Sequence, residues 1–172
     1  DAARQRLSVL RELEKNMDGY QNSVRAVMRA AGDRRLRGIL GPVSTILKVE
    51  PGCEVAIETA LGGALQNIVV ENEAAAKAAI ALLRNDRAGR ATFLPLDTVQ
   101  PGVFRGRLSG TARLASALVQ ADPRYENIVS NLLGRIIVVE DINEASRVAR
   151  DNGYHNKVVT MDGQVINAGG SF

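Results

Sequence analysis

The chain has 172 residues, 45% hydrophobic and 24% charged, enough to bury a core as one domain or two small ones. A single cysteine, Cys53, excludes an internal disulfide and a single histidine, His155, excludes a Cys/His zinc centre, a usage at home in a reducing cytoplasm. The net charge of +3 permits a polyanionic partner without requiring one, and no apolar run approaches the length of a membrane span.

From Asp1 to about Ala31 the apolar residues fall in two series seven apart, Leu10, Met17, Val24, Ala31 and Leu13, Tyr20, Val27. Charges such as Arg11, Glu12, Glu14, Lys15 and Arg25 flank this narrow a/d seam, which predicts a coiled-coil helix over residues 1–31. A helix lying on its own domain would show a wider stripe, so the seam is expected to need a partner helix. No second heptad stretch exists, so that partner is expected to be another molecule or a segment outside these residues.

A basic, glycine-punctuated junction follows. Arg25, Arg29, Arg34, Arg35 and Arg37 put five arginines within 13 residues, and phosphate affinity grows with the number of charges presented together. These five are the candidate DNA-binding residues. A basic helix end that only complements the helix dipole would account for Arg29 better than for Arg34, Arg35 and Arg37.

Ile57, Leu61 and Leu65, with Ala56, Ala60 and Ala64 beside them, predict a docked amphipathic helix that Gly62 and Gly63 weaken. From Leu61-Gly62 the chain runs through the β-branched stretch Ile68-Val69-Val70, an Ala-rich helix that Asn72 can cap, Gly89, and a second strand over Ala91–Leu94 ending at Pro95 and Asp97. The same order recurs from Leu133-Gly134 through Ile136–Val139, a helix that Asp141 and Glu144 can open as a capping box, Gly153, and Val158–Met161 closing on Asp162. Each unit reads strand, helix, strand, and neither can bury both faces alone. Between them Val99–Gly110 reads as an exposed linker carrying Arg105 and Arg107. A helix using Leu114, Ala117 and Leu118 is expected next, and Asp122-Pro123 opens another that Gly134 ends.

The expected fold is thus mixed α/β, with two pseudo-twofold-related αβ subdomains, residues 32–108 and 109–172, behind one coiled-coil segment, residues 1–31. There is no Gly-x-x-x-x-Gly-Lys-Ser/Thr loop and no Gly-x-Gly-x-x-Gly turn, so neither nucleotide hydrolysis nor dinucleotide binding is expected of these residues. His155 lacks an evident nucleophile partner, Asp97 and Asp162 read as turn formers, and Cys53 reads as a small apolar filler. No cofactor or metal is expected. Two classes of function remain: an interaction module, and a regulatory domain holding a small effector between paired βαβ units.

The order of heptad helix, basic glycine junction, paired units and terminal glycine pair resembles the hinge of SMC proteins, the structural maintenance of chromosomes ATPases, and most of all that of a bacterial condensin SMC. The resemblance runs from Gly19-Tyr20 to Ser171. It is carried by Asp18-Gly19-Tyr20 with Val24–Met28, by Ala56–Gly62 continuing to Leu65–Val70, and by Gly89–Asp97, Leu132-Leu133-Gly134, Val158–Gly163 and Gly169-Gly170-Ser171. Cys53 stands where the family usually has an aromatic, and Ala168 where it usually has proline. The chain also stops before the family's second glycine pair and returning coiled-coil strand. What the resemblance implies is a homodimerisation domain, with Gly169, Gly170 and Ser171 at the dimer interface and the first unit of one subunit meeting the second unit of the other, sheet edges joined. It further implies weak, non-specific DNA contact near the coiled-coil junction, a nucleoid-associated cytoplasmic setting without membrane, and an ATPase only through the heads of the full-length protein.

Overall fold

The computed structural model describes residues 20–172. Helix α1 (Asn22–Gly32) begins after Gln21, whose backbone is extended (φ −60°, ψ 154°), so helix does not run through Tyr20. Tyr20, Val24, Val27 and Ala30 are buried against Ile68, Val70, Ala76, Ala79 and Leu83 of the same chain. The expected external partner is therefore corrected at these positions. A helix laid on its own domain buries the same a and d residues as a coiled coil, and 11 residues are too few to separate periods of 3.5 and 3.6. Leu10, Leu13 and Met17 lie outside the described residues.

The two repeated units are present. In the first, β1 (Ile39–Pro42) pairs antiparallel with β3 (Ile68–Val70), which pairs parallel with β4 (Phe93–Pro95) across the helix α4 (Glu73–Asn85). In the second, β5 (Arg113–Leu114) pairs antiparallel with β7 (Ile137–Val139), which pairs parallel with β8 (Val158–Thr160) across α6 (Ile142–Asp151). One further strand, β9 (Val165–Ile166), extends the second sheet beyond β8. Three short helices lie between the strands: α2 (Val43–Ile46) follows β1, α3 (Glu54–Leu61) leads to β3, and α5 (Glu126–Leu133) leads to β7. A two-stranded bridge, β2 (Lys48–Val49) with β6 (Val119–Gln120), ties the halves together.

The alternation of strand side chains builds the core in layers. Ile68 and Val70 face α1 and α4, while Ile137, Val139 and Val158 face α6. Their neighbours Val69, Leu94, Val138 and Val159 turn the other way, into one central cluster with Ile57, Leu61, Ile128 and Leu133 from α3 and α5. Each sheet is thus covered on both faces, which is why its strands are continuous apolar runs. Cys53 sits in the central cluster at 3% exposure, and burial pushes its thiol pKa up, with Glu50 adding to the rise.

Local signals account for the helix ends. Asn72 Oδ1 accepts the Ala75 N–H at 2.9 Å and Asp141 Oδ1 the Glu144 N–H at 2.9 Å, each cap contributing about 1 kcal/mol. The capping box is only half made, because the Glu144 carboxylate is taken by the Thr111 N–H (2.8 Å) and hydroxyl (2.6 Å), which hold its pKa below the ordinary carboxylate value. Helix α3 stops at Leu61 and tightens into a 3₁₀ turn over Gly62–Gln66, with Gly62 at φ +53°. The helix expected from Leu114, Ala117 and Leu118 is not formed. Those residues are instead the end of β5 and a 3₁₀ turn, Ala115–Leu118, leading into β6, with Ala117 exposed.

The segment expected as an exposed linker is largely exposed, but it is also strapped to the second half. Ser130 Oγ donates to the Gly102 carbonyl (2.8 Å), Asn131 Nδ2 to that of Gln100 (2.9 Å), and Phe104 packs with the outer cluster of the second sheet.

Lys157 joins the halves directly, its Nζ donating to the carbonyls of Ala60 (3.0 Å) and Thr59 (3.3 Å) at the end of α3. Burial lowers its pKa. The unfolded chain therefore holds this proton more tightly, so stability rises as pH climbs from the lowered folded value toward the ordinary one of 10.5. Urea unfolding should show wild type gaining stability on Lys157→Met between neutral pH and about pH 10. Parallel pH profiles for the two proteins would contradict this.

Candidate dimer and nucleic-acid interface

Strand β4 is bonded on one side only. The Ile68 N–H donates to the Thr92 carbonyl (2.9 Å) and the Leu96 N–H to the Val70 carbonyl (3.0 Å), so residues 92, 94 and 96 turn their backbones toward β3. Alternation then points the N–H and C=O of Phe93 outward. Pro95 has no N–H, and its carbonyl is used by the N–H groups of Thr98 (3.2 Å) and Val99 (3.1 Å). The edge thus offers one donor and one acceptor, both on Phe93.

Strand β9 has a matching free edge. The Thr160 N–H donates to the Gln164 carbonyl (2.9 Å), which with the register Val158 to Ile166 leaves the N–H and C=O of Val165 turned away from β8. Beyond it the chain turns sharply. Asn167 N–H donates to the Ser171 carbonyl (2.7 Å), Gly170 N–H to that of Asn167 (2.9 Å), and Gly169 N–H to that of Tyr154 (2.8 Å). Gly169 and Gly170 have φ of +95° and +97°, so both are needed for the turn as well as for leaving space around it. A Cβ on Gly170 would lie 3.5 Å from the Tyr154 ring, whereas one on Gly169 would meet nothing within 4 Å. Gly169 and Ser171 are exposed; Gly170 is half-buried.

Of the five junction arginines, Arg34, Arg35 and Arg37 come together. With Gly38, Glu71 and Asn72 they line a cavity of about 400 Å³ beside the first turn of α4, whose N–H groups add positive potential. Gly38, at φ +76°, lets the junction approach α4, since a Cβ there would lie 3.0 Å from that of Ala75. Arg35 is 3.7 Å from Asp33 in an exposed pair, and Glu71 is 4.0 Å from Arg124. Arg25 and Arg29 sit apart on α1 and do not line this cavity. Arg25 is half-buried and donates to Asn22 Oδ1; Arg29 is exposed in the last turn.

A family described as the SMC proteins Flexible Hinge Domain matches residues 36–149. The chain belongs to the SMC hinge family. It is 36% identical to the Chromosome partition protein Smc of Bacillus subtilis over 98% of its own length, and 38% identical to that of Desulfitobacterium hafniense over 96%. It spans only 15% and 14% of those two proteins. Among solved structures, an asymmetric dimer of the Geobacillus stearothermophilus SMC hinge domain superposes with a TM-score of 0.84 at 35% identity, covering 97% of this chain and 70% of that one. The Pyrococcus furiosus SMC hinge domain follows at 0.74 and 29%, covering 91% and 81%.

The mixed α/β fold expected from the repeat, and the hinge-like form that the resemblance implies, are what the solved hinge domains match. The hinge's free β4 edge could have been noticed in the sequence: Val165-Ile166 follows Asp162 in the second unit, and nothing comparable follows Asp97 in the first. Tyr154, which carries the glycine turn from φ +58°, gives no such signal, because only the turn's backbone hydrogen bond reveals it.

Proposed function

We propose that this hinge joins two copies of its chain head to tail, the β4 edge of one against the β9 edge of the other. Residues 32–108 and 109–172 are taken as the two subdomains, with the strap at the end of the first, from about residue 99, packed on the second. The observation that carries the reading is the complementarity of the two edges: Phe93 and Val165 each hold one outward donor and one outward acceptor. Antiparallel addition satisfies both, and a twofold axis repeats the contact, so the ring closes without leaving an edge to propagate. Gly169, Gly170 and Ser171, next to β9, then lie at the interface. The Geobacillus relative's description as a dimer supports this. The area expected for a specific pair is about 1,200–2,000 Å² in total.

DNA contact is assigned to Arg34, Arg35 and Arg37, with Arg25 and Arg29 at the margin, through phosphates rather than base edges. The reading includes a returning coiled-coil strand of the full-length chain, ATP hydrolysis by heads elsewhere in that chain, and a role in chromosome condensation and segregation on the cytoplasmic nucleoid. It assigns no reaction, cofactor or membrane contact to these residues. The alternative of an effector held between the units is disfavoured, since Val69, Leu94, Val138 and Val159 belong to one packed apolar cluster at the centre. Sedimentation equilibrium tests the main reading: a dimer at micromolar concentration is expected, and a strict monomer at every accessible concentration would overturn it.

A further inference from the structure

We infer that the second half carries a separate phosphate-binding pocket, formed by Arg105, Arg107 and Arg135 with His155 at its rim. A cavity of about 490 Å³ lies between the strap over residues 99–110, the start of β7 and the turn after α6. Among the described residues, no carboxylate lies within 4 Å of the guanidinium of Arg105, Arg107 or Arg135. The acidic residue lining the cavity, Asp151, is paired with Arg147 at 3.8 Å. Three exposed arginines, none paired with a carboxylate, line one concavity together with a single aspartate, an excess of positive charge that favours an anion with several oxygens and more than one charge, which is the chemistry of phosphate groups.

The pocket is held in place by neutral hydrogen bonds. Asn152, only 8% exposed at the end of α6, accepts the Arg107 N–H on Oδ1 (2.7 Å) and donates through Nδ2 to the carbonyls of Arg107 (3.0 Å) and Val148 (2.9 Å). Both amide protons and one lone pair of Oδ1 are used. Gly106 makes this possible, because a Cβ there would lie 2.0 Å from Asn152 Oδ1 and 2.8 Å from the Phe104 ring. On the opposite wall Asn156 Nδ2 donates to the Arg135 carbonyl (2.8 Å). A loop that merely displayed charge would need neither the buried asparagine nor the glycine. Asn152 and Gly106 are positioning residues for the arginines.

The test is an amide-resolved NMR titration with sodium pyrophosphate at matched ionic strength, followed by competition with duplex and single-stranded DNA. Saturable shifts are expected at Arg105, Arg107 and Arg135 and in the Asn152 side-chain amide. Displacement of pyrophosphate by DNA would make the phosphate source a nucleic-acid backbone; no displacement would make it a free phosphoanion. Arg107→Lys keeps the charge but loses the planar fork, and should weaken binding about tenfold. Gly106→Ala keeps every arginine and should weaken it at least as much, with the folded spectrum of the sheets retained. In Arg34→Glu/Arg35→Glu/Arg37→Glu the pyrophosphate shifts at Arg105, Arg107 and Arg135 should keep their midpoint while any at the junction disappear, which separates this pocket from the junction site. Shifts spread over all surface arginines, or affinity unaltered in both Gly106→Ala and Arg107→Lys, would overturn the pocket in favour of a diffuse basic surface.

Discussion

Val165→Pro should convert the dimer into a folded monomer. The outward N–H of Val165 plays no part in pairing β9 with β8, so the substitution removes a donor from the edge and none from the sheet. At the interface the loss strands the partner's acceptor, and twofold symmetry counts it twice. At about 2 kcal/mol for each lost bond and orphaned group, the dimer weakens by about 4 kcal/mol, roughly a thousandfold in dissociation constant. Sedimentation equilibrium reads the change, and far-ultraviolet circular dichroism confirms the fold. Gly169→Val approaches the same surface from another side, since a Cβ there touches nothing in its own chain. It also strains a backbone at φ +95°, so its thermal transition should fall slightly as the dimer weakens. Replacing both glycines is the harsher test because Gly170 also abuts Tyr154. If Val165→Pro and Gly169→Val both keep the wild-type dissociation constant, the edge pairing is wrong.

Arg34→Glu/Arg35→Glu/Arg37→Glu should abolish most DNA affinity at low salt, by about a hundredfold or more, equally for every sequence. The cavity groups these three and leaves Arg25 and Arg29 apart, so about three phosphates are neutralised per site. Log K should then fall with log salt at a slope of about −2.7 for duplex and −2.1 for single strands. Dimerisation should persist, since none of the three lies on the β4 or β9 edge. A dimer presents two such sites, and DNA long enough to span both should bind more tightly than a short oligonucleotide. Fluorescence anisotropy across a salt series measures slope and affinity together. Unchanged affinity in the triple variant would move the DNA contact off the junction.

The repeat was legible because strands buried on both faces must be apolar throughout. Ile68-Val69-Val70 and Ile137-Val138-Val139 could therefore be matched, and Asn72 and Asp141 marked the helices between them. The partner of the N-terminal seam was not legible, because Val24 and Val27 obey the same spacing whether the opposing surface is a second chain or the chain's own sheet. Leu114 and Leu118 stand four apart, as on a helix, yet serve a strand and a tight turn, since a segment this short has its conformation set by pairing with β7. The strap failed for a similar reason: its anchor, Asn152, lies 45 residues from Arg107. At the candidate sites the arginine cluster was visible as composition, while its division into three together and two apart depended on Gly38 and the first turn of α4.

The shared central layer also bears on how the chain comes off the ribosome. The inner face of the first sheet, Val69 and Leu94, belongs to the same apolar cluster as Leu118, Ile128, Leu133, Val138 and Val159 of the other half, and Lys48-Val49 waits for Val119-Gln120. At ordinary elongation rates those residues arrive on the order of several seconds later. For that interval a nascent chain with its first sheet already formed presents an apolar face and an unpaired edge together. The first half is therefore the part exposed to premature aggregation during synthesis, and the passage through β6 to β8 is where that exposure ends.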